Sequence, residues 1–178
     1  LSEKSDFDIC GIGIPSKELI FTHLAGEIPG FGRQIQRFEQ FQQHHINYQN
    51  KKEYDITIFG IVKYFQLAME NNPNIIDILF TPQECITQIN SIGQLIRDNR
   101  KIFLHKGSYH KFRGYHYAQI SKMSSNKRTG KRKELHDRYL FDTKFASHAC
   151  RLLQECEQIL QFGDLDLRKG NEFLKAIR

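Results

Sequence analysis

The chain has no tryptophan, no apolar run long enough to cross a bilayer and no secretory signal pattern at its start. Its 14 phenylalanines must therefore carry most of the aromatic packing. Cysteine is sparse, and Cys10, Cys85, Cys150 and Cys156 show no CxxC spacing. Cys150 and Cys156, six apart, fall on different faces of one helix. This usage speaks against zinc ligands and disulfides and reads as reduced, mostly buried thiols in a cytoplasmic protein. The eight histidines, His44–His45 included, contain no HExxH pair and read as ordinary polar residues. Internal repeats are also absent. At 178 residues, the chain has room for one ordinary domain, or a small domain with a helical extension.

Negative charge is missing from one region in particular. Residues 100–138 hold 12 Lys/Arg against 2 Asp/Glu, whereas the remainder holds 14 against 18. An acidic first part facing a basic stretch that includes "SSNKRTGKRK" suggests a metal-bearing site beside a polyanion-binding surface. The plainer alternative is a set of lysines and arginines solvating a helix face and a loop.

Strands come first along the chain, then helices. Residues 5–14 read as a strand running into the turn at Gly13–Pro15. Residues 16–50, with "GEIPGFG" and the Gln-rich "QIQRFEQFQQHH", read as a loop excursion. "EYDITIF", residues 53–59, is β-branched and aromatic and predicts a strand with Asp55 and Thr57 on one face. From Ile58, the spacing of Ile61, Val62, Phe65 and Met69 predicts a helix. Asn72 is a natural N-cap with Pro73 at the first helical position. After Pro82 the chain reads as almost wholly helical. Ile86, Ile89, Ile92, Leu95 and Ile96 form one stripe, Phe112 to Met123 a second helix, and residues 139–162 a long one stopped by Gly163. The class is α+β, divided into a core over 1–82 and a helical region over 83–178 that is basic at 100–138.

The first motif that carries chemistry is "SDFDICGIGIP". On a strand, Asp6 and Asp8 point to the same face, and two like charges there call for a cation or a shared proton. Spacing alone is weak, because Asp164 and Asp166 in "GDLDL" repeat it and the chain has nine aspartates. The first pair is distinguished by Asp55, on a second strand and flanked by apolar residues. Three carboxylates from two adjacent strands suit a pair of hard Mg²⁺ ions about 3.5–4 Å apart in phosphoryl chemistry. Asp6 and Asp8 would bridge both ions, and Asp55 would hold the ion that activates a hydroxyl and help to accept its proton. Three unrelated surface aspartates are the competing reading.

"SDFDICGIGIP", "YDITIFGIVKYFQLAMENNPNIIDILFTP" and "DTKFASHACRLLQ", in this order, resemble the nucleotidyltransferase family of the DNA polymerase β superfamily associated with RNA repair. The Asn72–Pro73–Asn74 turn and the Asp142–Thr143–Lys144 helix start are more specific than the aspartates. The resemblance implies a palm-like mixed sheet with helices, in which two Mg²⁺ (or Mn²⁺) ions move a nucleotide from an NTP to a hydroxyl. It assigns Asp6, Asp8 and Asp55 to catalysis and metal binding. It also implies a Gly-Ser loop upstream that grips the triphosphate. That loop is absent before Asp6, so further residues are expected to precede Leu1.

By the same resemblance, Ser5 joins the nucleotide site. Lys144, His148 and Arg151, at i, i+4 and i+7 on one helix face, would contact phosphate oxygens. Tyr115, Gln119 and Lys122 repeat that spacing and are weaker candidates for lining the cleft, as is Lys63. The leading expectation is a metal-dependent nucleotidyltransferase acting on a nucleic acid end, with RNA favoured over DNA and no membrane partner. One alternative is a protein-AMP transferase of antitoxin type, for which the basic stretch has no evident use. Another is a catalytically degenerate nucleic-acid-binding module.

Overall fold

The computed structural model describes residues 7–21, 39–47, 53–123 and 131–177. Two compact units divide the chain, Leu1–Gln66 and Leu67–Arg178.

In the first unit, β1 (Phe7–Gly13), β2 (Gln40–Asn47) and β3 (Glu53–Gly60) form a mixed sheet in the order β1-β3-β2. A one-turn helix, α1 (Lys17–Ile20), follows β1. The central strand β3 is the one richest in β-branched and aromatic residues, which suit a position paired on both edges. It runs parallel to β1 and antiparallel to β2.

The strand β2 corrects the expectation of a loop excursion through residues 16–50. Its Gln40–His45 stretch is exposed on both faces, so no apolar alternation marks it in the sequence. Pairing with β3 defines it instead, with a register jump between Gln43 and Ile46.

The helix α2 (Ile61–Met69) begins directly after β3 and ends at Asn71, which lies in the left-handed region at φ 52°. Asparagine tolerates that conformation better than most residues. The buried Asn71 amide donates to the Phe103 carbonyl at 2.7 Å and to the Ala68 carbonyl at 3.3 Å. Asn72 then caps α3 (Pro73–Leu79), accepting from the Asn74 N–H at 3.1 Å, with Pro73 at the first helical position as expected.

The stretch after Pro82 is less helical than its composition suggests. Short 3₁₀ turns cover Gln83–Cys85 and Arg100–Phe103, and α4 spans only Ser91–Asp98. The Asn90 side chain accepts from the Gly93 N–H at 2.8 Å and so starts α4 there, leaving Ile86 and Ile89 outside the helix.

The second unit is built on α5 (Ser108–Met123) packed against α7 (Thr143–Phe162). Between them in sequence lies α6 (Lys131–Tyr139), and α8 (Asn171–Ile177) packs on α7. The expected single helix over 139–162 is thus two. Leu140, at φ 64°, breaks the chain out of α6, and Asp142 caps α7 by accepting from the Lys144 and Phe145 N–H groups. The basic stretch is helical from Lys131, while residues 124–130 lie outside the described residues. Gly163 ends α7 in the left-handed conformation at φ 59°, as its position predicts.

Phe112 of α5, Ile75, Ile76 and Leu79 of α3, and Ala149, Leu152 and Ile159 of α7 are all buried. Of the cysteines, only Cys156 is buried. Cys10 and Cys85 are exposed and Cys150 is half-buried, correcting the expectation of mostly buried thiols, although all four are free.

Candidate active site

Parallel pairing of β1 with β3 sets Asp8 directly beside Asp55, in register between Phe7↔Tyr54 and Ile9↔Ile56. Register partners on neighbouring strands project to the same face, so the two carboxylates share one side of the sheet. Asp8 is exposed and Asp55 partly exposed. Two of the three aspartates singled out by their neighbourhoods therefore come together on adjacent strands. Ser5 and Asp6 lie outside the described residues.

The third strand adds what spacing did not reveal. Gln43 pairs with Ile56 and Ile46 with Tyr54, so His44 and His45 together face Asp55 across a β-bulge. His45 takes the left-handed conformation at φ 56° and donates its backbone N–H to Asp55 Oδ1 at 2.9 Å. His44 Nδ1 lies 3.0 Å from Asp55 Oδ2. These bonds hold Asp55 below the usual carboxylate range, the His45 backbone N–H contributing most and the His44 side chain next. Asp55 is consequently an ionised carboxylate with one oxygen bonded to the His45 N–H and the other beside the His44 ring. Reading His44 and His45 as ordinary polar residues missed this role. The visible signal is a His-His pair ten residues before a strand aspartate, but only the bulge turns it into a contact.

A hard divalent cation matches the chemistry of this donor set, which offers carboxylate oxygens and no thiolate. The Cys10 thiol, two residues after Asp8, is pushed up by local desolvation first and by the Asp8 charge second, so it stays protonated. Among the described residues no group of three His, Cys, Asp or Glu side chains converges on one point. Asp8 and Asp55 are the two described carboxylates on this face able to hold a metal, and Asp6, the third expected from the sequence, lies outside the described residues. Lys63, a weaker candidate, pairs with Glu39 at 3.7 Å.

The remaining candidates belong to the second unit. The Tyr115 hydroxyl accepts from the Asn72 amide at 2.8 Å, tying α5 to the start of α3. Tyr115, Gln119 and Lys122 do line one shallow concavity of about 480 Å³, together with Asn74 and Lys111. Lys144 is exposed on the first turn of α7, and His148 is half-buried one turn on. Arg151 is committed to carboxylates, with Nη2 3.2 Å from Asp77 Oδ2 and Nε 3.3 Å from Glu155 Oε1. Burial raises both acids, Asp77 to about 6 and Glu155 to about 8, while Arg151 pulls the other way. For Glu155, the Asp77 charge adds to the rise. Asp164 and Asp166 form an ion-paired turn with Lys101 and Arg168.

Neither a curated protein nor a solved structure matches the chain. A family model described as RlaP, RNA repair pathway DNA polymerase beta family, matches residues 1–167. That match takes in the paired aspartate strands, the Asn72–Pro73 turn and the whole of α7. A three-stranded mixed sheet followed by a helical half is consistent with the α+β nucleotidyltransferase fold of this superfamily. The chain belongs to the RNA repair pathway DNA polymerase beta family, a family of nucleotidyltransferases.

Proposed function

We propose that the protein transfers a nucleotide from an NTP to a hydroxyl at an RNA end, with Asp6, Asp8 and Asp55 holding two Mg²⁺ or Mn²⁺ ions. The observation that carries this reading is the in-register Asp8–Asp55 pair, with the Asp55 carboxylate kept ionised by the bulge residues. Family membership supports the NTP as substrate, and the superfamily typically uses divalent metal ions. Bound there, the ions would neutralise phosphate charge and lower the pKa of the attacking hydroxyl.

In the transfer, the acceptor oxygen bonds to the α-phosphorus and the bond to the departing pyrophosphate breaks. The hydroxyl proton passes to solvent water, since Asp55 is held ionised. Asp8 supplies an exposed carboxylate that no histidine contacts among the described residues, and with Asp55 it would hold a metal ion. His44 and His45 fix the Asp55 carboxylate and keep it deprotonated, the role of outer-layer partners in metal sites. Lys144 and His148 are assigned to triphosphate oxygens through the family pattern, as is Ser5. Arg151 shares that assignment while also pairing with Asp77 and Glu155.

The test incubates the full-length protein with Mg²⁺, each labelled NTP in turn, and a mixture of RNA and total protein. Label on RNA that falls at least about a hundredfold in Asp8→Asn and in Asp55→Asn supports the reading, the scale of losing one transition-state charge stabiliser. Label on protein would replace it with the protein-AMP transferase. No label on any acceptor, with RNA still bound, would replace it with the binding module.

A further inference from the structure

Helix α5 carries a feature that the aspartate site does not use. Tyr109, Arg113 and Tyr117 follow one another at i, i+4 and i+8, so they stack along a single face. The Arg113 guanidinium lies 5.9 Å from the Tyr109 ring centroid and 5.6 Å from that of Tyr117, within cation–π range of both. Both rings remain open to solvent, Tyr109 being 45% exposed and Tyr117 59%. Beside the ladder is a shallow concavity of about 430 Å³, floored by Phe112, Leu153 and Cys156. That volume is within the range of ligand-sized clefts.

Charge identifies the occupant. From Arg100 to Lys133 the chain has eleven Lys/Arg and no Asp or Glu, whereas a merely solvated helix face intersperses the two signs. Lys111 answers Glu70 at 2.8 Å and Lys101 answers Asp164, but among the described residues no carboxylate pairs with Arg113. Two exposed tyrosine rings flank a guanidinium that also interacts with both hydroxyls and has no carboxylate partner among the described residues, so this face offers two π surfaces and a positive charge. Unpaired nucleobases stack on such surfaces while their phosphates meet the charge.

We infer that the Tyr109–Arg113–Tyr117 ladder of α5 is a binding site for single-stranded RNA, contacting unpaired bases by stacking. The inference rests on the RNA-end reading for the identity of the polymer and adds a surface to it, on a helix that carries neither Asp8 nor Asp55.

The experiment measures fluorescence anisotropy of a labelled single-stranded RNA of about ten nucleotides, a length suited to one stacking platform. It uses the full-length protein in chelator, without NTP. Tyr109→Ala and Tyr117→Ala should each weaken binding about tenfold, with the salt dependence unchanged. Tyr109→Phe and Tyr117→Phe keep the ring and should stay within about twofold. Arg113→Ala should flatten the slope of log affinity against log salt by about 0.7, the share of one phosphate contact on a single strand. Both tyrosines are exposed, so the variants should melt like the wild type. Tyr117→Glu, which sets a negative charge against phosphate, gives a second way to see the loss.

Wild-type affinity in the folded Tyr109→Ala/Tyr117→Ala protein overturns the inference. So does a duplex RNA that binds as tightly as the single strand, because its bases are already stacked. Tighter binding of single-stranded DNA overturns the polymer assigned. The measurement requires no turnover. A chain that binds RNA through the tyrosines yet transfers nothing therefore leaves this inference standing and removes only the transferase reading. Transfer that persists alongside tyrosine-independent binding removes only this inference.

Discussion

Each unit of the chain sets two carboxylates side by side, and the two pairs are stabilised in opposite ways. In the sheet, Asp8 and Asp55 meet at an accessible surface, where Asp55 takes a backbone N–H and a histidine and is held below its usual range. In the helical unit, Asp77 and Glu155 meet in the interior, where Arg151 lies between them and burial raises both. The buried pair is neutralised from within by a fixed cation and by protons, as buried charges must be. Asp55 keeps its charge, and neither accessible carboxylate has a lysine or arginine partner among the described residues, which leaves both open to a divalent ion. Neither sequence spacing nor proximity separates the two pairs. Burial and the fixed partner do.

That contrast can be broken most forcefully in the helical core. Phe112→Ala empties a fully buried site on α5 and should cost about 3–5 kcal/mol of stability in a denaturant melt. A cost below about 1 kcal/mol would show that α5 and α7 are not the stabilising core. In the sheet the same experiment should have little effect. Asp8→Asn and Asp55→Asn should each lower transfer at least about a hundredfold, and Asp8→Asn, at an exposed position, should move stability by no more than about 0.5 kcal/mol. Next in size is His44→Ala. Losing an orienting partner costs metal sites about 10–100-fold, so transfer should fall by that range, with His44→Gln recovering part of it.

The smallest effect sharpens the buried side of the comparison. The folded-state pKa of Glu155 is raised from 4.5 to about 8, so its contribution to stability is fully present below about pH 4.5 and is lost as pH rises through about 8. Asp77, raised to about 6, acts in the same direction at lower pH. Glu155→Gln, which stays neutral, should flatten the fall in melting temperature between pH 5 and about pH 8.5 and leave the variant the more stable protein at the alkaline end. Identical pH profiles for the two proteins would contradict the protonated, buried state of Glu155.

Legibility in the sequence followed burial closely. The strands β1 and β3 could be read because β-branched and apolar residues alternate with the aspartates, and α3 because Asn72–Pro73 is a start signal that depends on no tertiary contact. The strand β2 could not be read, since its glutamines and histidines are exposed on both sides and only hydrogen bonding to β3 makes them a strand. His44 was lost with it, because a bulge is a property of pairing and leaves no period. The start of α7 was blurred for a different reason: residues 139–142 are compatible with helix locally, and the Leu140 turn and Asp142 cap override them. Tyr109, Arg113 and Tyr117 were visible at helical spacing throughout. They carried no signal until the structure left both rings exposed with the guanidinium between them.

The most direct measurement is a Mn²⁺ titration of the full-length protein followed by electron paramagnetic resonance, comparing the wild type with Asp8→Asn/Asp55→Asn. A divalent-cation site on the β1–β3 face predicts that the wild type removes free Mn²⁺ signal and that the folded double variant loses this binding. Equal Mn²⁺ binding by the two proteins would contradict the assignment of the paired aspartates as the metal site.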